Sequence, residues 1–511
     1  MKDTGRTVLS ITVITLLCRI LTLISIQSYI SFYGGGDIRL NIFMYALNIP
    51  NVIFTSVGAA LIIVVVPLYA SILSKDQKKA DDFLHKIISV AGLLLVALAA
   101  AGFLLAPVIP MLGAYRYEPE NYKYAVFSLR VLMPVIFFFG LSNIFQGMLQ
   151  TNGRFLAPAA VSLPTSLITI CYIFFFGDRY GVTGLLFTTL AGLSLQVCVL
   201  IIPVIKTGYR YRPRFGFRDP EIVSAARMAV PVLIGVSAYQ FNMIFNATMS
   251  TYFKAEALLI YAQNLILVSV LSFIYSMTAV YFPRLARLWT SDDAPGYKFC
   301  LTEIINTALF FLIPLTVGFI ALRYQVFDLL ARWRNFGERD MLLSGDFMGL
   351  YAIGIIAMGL KEILDRGFYA QKNTRISAVA GFFIMGVNIV LSLILMNFIG
   401  VYALPLSYSI SSCAGVAVLY IKMRKICGPF TGIARDIFKC AAAAVIMGAV
   451  IIAQLYFLKR MDAYRYGEVI TRAVRLFAPV LSGVIIYFAA SYLMGVMYCK
   501  KLFVRFLYKK G

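Results

Sequence analysis

The sequence predicts an all-α polytopic membrane protein with about fourteen transmembrane helices. These form two six-helix lobes, related by a pseudo-twofold axis along the membrane normal, followed by two extra C-terminal helices. Three observations carry this. Of the 511 residues, 61% are hydrophobic and only 14% charged, and the mean hydropathy of +0.84 is beyond what a soluble fold tolerates. The apolar residues fall in long runs separated by short basic loops. Finally, motifs from the first half recur in the second at a nearly constant offset.

A span needs about 20 consecutive apolar residues to cross the hydrocarbon core. The first lobe has such runs near 7–32, 40–73, 84–112, 124–149, 156–176 and 182–205. The second has them near 222–252, 258–282, 301–322, 345–364, 376–396 and 402–420, and the two extra helices lie near 437–458 and 473–497. The domain boundaries follow: 1–205, 222–420, 437–497, and a basic tail over 498–511. "MKDTGRTV" and the apolar run behind it lead to no small-residue cleavage site, so the first run is expected to stay as a helix and not be removed as a signal peptide.

An even number of spans puts both termini on one side. The loops on that side ("SKDQKK", "KTGYRYRPRFGFR", "KMRK" and the tail "CKKLFVRFLYKK") carry about twice the Lys and Arg of the opposite set, so both termini are expected in the cytoplasm of a bacterial plasma membrane. "RYQVFDLLARWRNFGER" and "KRMDAYRYGEVITR" are exceptions, expected outside as amphipathic segments lying on the surface. The net charge of +23 is thereby explained without nucleic acid. One histidine, His85, and eight scattered cysteines without metal spacing argue against metal sites and His-based triads.

The repeat is legible in three places. Gln150-x-Asn152-x-Arg154 recurs as Gln371-x-Asn373-x-Arg375, about 221 residues later. "GVTGLLFTTLAG" from Gly181 matches "GVYALPLSYSIS" from Gly400, and "VVVPLYASI" around Pro67 matches "VYFPRLARL" around Pro283. Six spans separate the copies, so the lobes share one orientation, and the two turns are expected to be equivalent cytoplasmic corners that cap helix ends or make gating contacts. Lobes of this kind hold substrate between them and alternate their access, which points to a transporter.

Polar residues inside the spans mark the candidate site. Arg19 falls in the middle of the first run, where a charge costs on the order of 3 kcal/mol or more. It is a structural ion pair, a snorkelling side chain or a ligand contact. In span 2, Asn48, Pro50 and Asn51, then Thr55, Ser56 and Gly58, interrupt an otherwise apolar helix. A proline there frees a carbonyl that lipid cannot satisfy, so this break should face protein or water; a packing kink is the alternative. Span 7 offers Gln240, Asn242 and Asn246, and span 8 offers Gln263 and Asn264. Glu303 and the Glu362/Asp365 pair are placed at span ends, which leaves no deep carboxylate. A cation exporter would want one, so an anionic substrate is favoured, with Arg19 suited to phosphate. Arg130 is read as snorkelling.

"CRILTLISIQSYISFYGGGDIRLNIFMYALNIPNVIF", "LLIYAQNLILVSVLSFIYSMTAVYFPRLARL" and "RGFYAQKNTRISAVAGFFIMGVNIVLSLILMNFIGVYALPLSYSIS" resemble the MurJ/MviN lipid II flippases of the multidrug/oligosaccharidyl-lipid/polysaccharide exporter superfamily. The resemblance covers nearly the whole chain, the two extra helices included. It implies translocation of lipid-linked peptidoglycan precursor from the inner to the outer leaflet, a cationic cavity for the diphosphate and sugars, and a groove in the last two helices for the polyprenyl tail. Arg19 matches the family's first cavity arginine, and Asn51 the asparagine after the span 2 proline. The chain departs from the family where Ser25 replaces a second arginine and Ile26 the acid beside it. Asn41 replaces an aspartate, Phe54 an arginine, and Gln263-Asn264 an Asp-Arg pair.

The expected substrate contacts are therefore Arg19, Ser25, Asn48, Asn51, Asn242, Gln263 and Asn264. Pro50, Gly58 and the two Gln-x-Asn-x-Arg turns are expected to shape or gate the path. The implied partners are a polyprenyl-diphosphate-linked glycan, membrane lipids and other cell-wall synthesis proteins, with the chain a monomer that needs no cofactor. Another polyprenyl-linked oligosaccharide is the alternative cargo. A drug or cation exporter and an envelope glycan-processing enzyme stand further off, the latter because the acids of "AYRYEPENYK" and "RNFGERDMLLSGD" read as solvated loop charges.

Overall fold

A computed structural model describes residues 2–73, 75–113, 118–330, 334–371, 373–430, 433–459, 467–496 and 498–499. Among the described residues the chain is helical, with no strand. In order, the helices are α1 (Lys2–Tyr33), α2 (Ile38–Leu73), α3 (Gln77–Leu105), α4 (Val108–Gly113), α5 (Pro119–Leu132), α6 (Val135–Thr151), α7 (Leu156–Ala159), α8 (Leu163–Ile205) and α9 (Pro220–Thr251). Then come α10 (Glu256–Thr290), α11 (Ala294–Ala321), α12 (Arg323–Leu330), α13 (Glu338–Ile353), α14 (Ile355–Ala370), α15 (Thr374–Ile399), a 3-10 turn (Gly400–Tyr402), α16 (Ala403–Cys427), α17 (Ile433–Leu458) and α18 (Glu468–Leu493). Most predicted spans fall on one of these helices, whereas 84–112, 124–149, 156–176 and 345–364 each cover two.

By length and apolarity, seven stretches of the described residues can cross a membrane, or eight if the bent pair α13–α14 is one span. Two of them, 156–205 and 374–427, each hold two predicted spans joined end to end at a glycine. Large apolar side chains stand exposed along these helices, Phe175 at 78%, Phe398 at 79% and Leu493 at 85%. That pattern suits hydrocarbon, which also forces every backbone polar group to pair inside its own helix. The protein is an all-α polytopic membrane protein.

The glycine breaks share a geometry. Gly181 has φ 58° and ψ −155°, and Gly400, about 219 residues on, has φ 59° and ψ −135°. Residues with a Cβ scarcely enter this region. Tyr172 Oη donates to the Gly181 carbonyl at 2.6 Å and fixes the first break. Helix starts also recur at that distance. Asp76 Oδ1 accepts from the Lys78 amide at 2.8 Å at the head of α3, and Asp293 Oδ1 accepts from the Gly296 amide at 2.8 Å at the head of α11. Such caps satisfy helix-end donors that nothing else reaches. The α5/α6 joint at Met133–Pro134 is followed about 220 residues later by the α13/α14 joint at Gly354, bent by 45°. A Cβ on Gly181 would meet nothing within 4 Å, so Gly181→Ala should cost only backbone strain, about 1–3 kcal/mol. Helical Gly92, equally open, should accept alanine without loss. Melting temperatures of the two purified variants check the contrast.

The described chain forms two compact units, residues 1–257 with 333–336, and residues 258–332 with 337–511. In the first, α2 packs on α6 and α9, α1 on α8, and α3 on α6. Its buried core runs from Tyr69 through Phe83, Leu84 and Ile144 to Leu200. In the second, α11 packs on α14 and α17, α15 on α16, and α17 on α18. Tyr297 Oη donates to the Gly367 carbonyl at 2.8 Å and ties α11 to α14, while Tyr487 Oη donates to Phe310 at 2.7 Å and ties α18 to α11. Without an aqueous hydrophobic effect, such close packing and hydrogen bonds hold helices together.

One expectation changes. The predicted interruption of span 2 is absent: α2 is helical through Pro50, which is buried, so the proline is absorbed within packed protein. The Glu362/Asp365 pair lies in the second half of α14, where Asp365 accepts from Lys361 Nζ at 2.7 Å. Glu256, the first residue of α10, is fully buried. The tail over 500–511, Lys372 and residues 460–466 of "KRMDAYRYGEVITR" lie outside the described residues. So does the middle of "RYQVFDLLARWRNFGER", whose first part is α12.

Candidate functional site

The level of Arg19 follows from how α1 meets α8. Thr22 Oγ1 lies 3.2 Å from Ser166 Oγ, and Tyr33 Oη donates to the Gly177 carbonyl at 3.2 Å. Both pairs are 144 residues apart, so α1 and the first half of α8 run parallel and in register for about 16 Å. Arg19, three residues before Thr22, is therefore level with Leu163, where α8 begins. Arg19 thus lies midway along α1 and beside the α7/α8 junction. An arginine can lay its stem along apolar surface while its guanidinium reaches polar surroundings, which lowers the cost of burying it.

The half-buried Arg19 lines a cavity of about 360 Å³ with Thr15 and Cys18 of α1, Gln150 at the end of α6, and Phe155, Pro158, Ala159, Val161 and Ser162 around α7. The structure thus joins two residues singled out for unrelated reasons, the cation of span 1 and the first residue of the repeated turn. A guanidinium, an exposed amide and hydroxyls around an open cleft can bind phosphate oxygens.

The rest of that turn has other work. Asn152 Nδ2 donates to the Met148 carbonyl at 2.9 Å and to Tyr69 Oη at 3.3 Å. Arg154 donates to the carbonyls of Pro203 at 3.2 Å and Lys206 at 2.9 Å, satisfying the C-terminal end of α8. The counterpart turn is wired differently. Gln371 Nε2 donates to Tyr297 Oη at 3.1 Å, the Asn373 amide donates to Phe368 at 2.9 Å, and Arg375 is exposed. One glutamine faces a cavity, and its counterpart is tied to α11.

The other predicted contacts divide between the units. Ser25 is buried in α1; Asn48 and Asn51 are half-buried on α2, and Gly58 follows two turns on. Asn242 is buried on α9 one turn before Asn246. Asn242 Oδ1 and both polar atoms of Asn246 have no hydrogen-bond partner among the described residues. All these belong to the first unit, whereas Gln263, buried, and Asn264, half-buried, lie on α10 in the second. None of them lines the Arg19 cavity. Arg130 is exposed, its guanidinium 5.2 Å from the Phe103 ring.

Two polar features escaped the sequence reading. Asn41 donates to the carbonyls of Gly35 at 3.0 Å and Asp37 at 2.7 Å, and accepts from the Ala257 amide at 3.0 Å. It staples the α1–α2 turn to the start of α10, and a carboxylate could not make the two donations. Glu256 has neither oxygen hydrogen-bonded among the described residues. An acid in a first helical turn is common because it complements the helix dipole, so its position alone gives no signal. The Lys361–Asp365 pair had a usable signal, the i, i+4 spacing itself.

Residues 30–475 match the family model described as "Lipid II flippase MurJ". The probable lipid II flippase MurJ of Rickettsia prowazekii is 24% identical over 501 residues, covering 95% of this chain and 96% of that protein. The one from Vibrio cholerae is 23% identical, with 95% of each chain covered. Among solved structures, a lipid II flippase MurJ in an inward closed conformation aligns with a TM-score of 0.79 at 23% identity, covering 95% of this chain and 98% of that one. An inward-facing multidrug resistance MATE family transporter of the MOP superfamily aligns with a TM-score of 0.67 at 15% identity, covering 81% and 98%.

Proposed function

The chain belongs to the lipid II flippase MurJ family, and from that premise we propose that it carries lipid II, the lipid-linked peptidoglycan precursor, from the inner to the outer leaflet by alternating access. The family match over 30–475 is the observation that carries this reading. The chain acts as a transporter: no bond of the substrate is made or broken. Arg19, with Gln150 and Ser162 around it, receives the diphosphate at the cytoplasmic mouth of the first unit. Asn48, Asn51, Asn242, Gln263 and Asn264 offer neutral hydrogen bonds to the sugars further along. Gly181 and Gly400 mark equivalent positions of a duplicated six-helix lobe.

The test is replacement of the resident flippase of a bacterium by this chain, followed by its depletion. Lipid-linked disaccharide-peptide should then accumulate in the inner leaflet. Accumulation of a polyprenyl-linked saccharide lacking the peptide would transfer the reading to another glycan. Orientation is tested separately, with single cysteines in a cysteine-free background. A cysteine replacing Lys78 or Arg212 should stay unlabelled by an impermeant reagent applied to intact cells, and labelling of either would reverse the proposed topology.

A further inference from the structure

A larger cleft, about 740 Å³, lies elsewhere in the first unit, where the middle of α3, the first part of α6 and the end of α8 converge beside the basic segment 206–219. Its walls are apolar, with Gly92, Leu93 and Val96 of α3, Phe137 and Leu141 of α6, and Ile205 of α8. Leu93, Val96 and Ile205 are each about half exposed, so the cleft opens sideways onto the surface that faces lipid. Its volume falls within the roughly 300–1,000 Å³ of ligand clefts.

The segment over it is built, not slack. His85 Nδ1 lies 2.9 Å from Tyr209 Oη and accepts from the Arg212 amide at 3.2 Å. One turn on, Ser89 Oγ lies 2.8 Å from Tyr211 Oη and accepts from the Arg214 amide at 3.1 Å. The chain's single histidine thus serves as a latch for this segment. The charges nearby are sorted: Arg214 pairs with Asp82, and Lys86 pairs with Asp82 and with Asp219. Arg210, held between the two latched tyrosines, also lines the cleft and makes no hydrogen bond or ion pair with the described residues.

We propose that this cleft binds an anionic glycerophospholipid of the leaflet on the side of the basic loops, with an acyl chain against Gly92, Leu93 and Val96 and the phosphate on Arg210. Basic residues at the rim of an apolar cleft between transmembrane helices give this recognition, and each basic group near an anionic lipid surface favours it about fivefold. The apolar wall accounts for the tail, and the uncompensated guanidinium for the sign of the headgroup. The site is separate from Arg19 and does not depend on what the protein transports.

Native mass spectrometry of the full chain in detergent, titrated with dioleoyl-phosphatidylglycerol or dioleoyl-phosphatidylcholine, tests it. The parent chain should retain phosphatidylglycerol about fivefold better. Arg210→Gln, at an exposed position, should bring the two lipids level. A Cβ at Gly92 meets nothing within 4 Å, so Gly92→Leu should fill the cleft without disturbing the helix and abolish retention of both. Equal retention of the two lipids by the parent chain overturns the proposal, as does a Gly92→Leu chain that still holds phosphatidylglycerol. Displacement by undecaprenyl phosphate but not by phosphatidylglycerol would make the cleft a polyprenyl site, and displacement by inorganic phosphate alone would make it a plain anion site. Either result also overturns the proposal.

Discussion

An Arg19→Ala chain is expected to insert and accumulate normally yet fail to replace a flippase in vivo. The expectation rests on where Arg19 sits. At the level of the α8 N-terminus, beside an open cavity, its guanidinium is not entombed, and its loss should leave folding largely untouched. Losing a charged contact to a phosphate should be severe, since truncating one partner of a desolvated, hydrogen-bonded charge pair costs about 2–5 kcal/mol, roughly 30-fold to several-thousand-fold in affinity. Arg19→Lys should be partly active, because an ammonium keeps the charge but not the planar fork. Gln150→Ala, in the same cavity but neutral, should cost about tenfold at most. The measurement is complementation alongside membrane protein level. A well-expressed, fully functional Arg19→Ala chain would leave Arg19 as an anchoring residue. A chain whose level collapses would make its role structural.

Asp365→Leu should be among the most destabilising single changes in the second unit, while Lys361→Met/Asp365→Leu should recover most of the loss. Asp365 has a side chain 6% exposed, and one of its oxygens accepts from Lys361 at 2.7 Å. Removing one member of a buried pair leaves the other's charge uncompensated, at about 3–5 kcal/mol, whereas replacing both with apolar groups is often neutral. Lys361 keeps a side-chain exposure of 28%, which puts the expected loss nearer 2–3 kcal/mol than the upper end. Thermal unfolding of the three variants in one detergent decides it. A double variant no more stable than Asp365→Leu alone would show that the pair is not what holds α14.

Much of this architecture was legible along the chain, because a bilayer leaves so little choice. Every apolar run long enough to cross had to be helical, and among the described residues the apolar runs are, with seven or eight stretches long enough to cross a membrane. The breaks at Gly181 and Gly400 were visible as matching glycines, since only glycine accepts that backbone geometry at little cost. What hydropathy could not give is the level of one helix against another. Arg19 reads as mid-span when α1 is counted from its first apolar residue. Its level against α8 is set by Thr22 against Ser166 and Tyr33 against Gly177, contacts 144 residues away in sequence. The burial of Glu256, the stapling of Ala257 by Asn41, and the different wiring of Gln150 and Gln371 likewise depend on which neighbour each side chain meets. Residue type decides whether a segment prefers lipid to water, and it did so here for every span. The partner of each polar group, and hence which arginine borders a cavity, is decided only when helices distant in sequence pack at one fixed register.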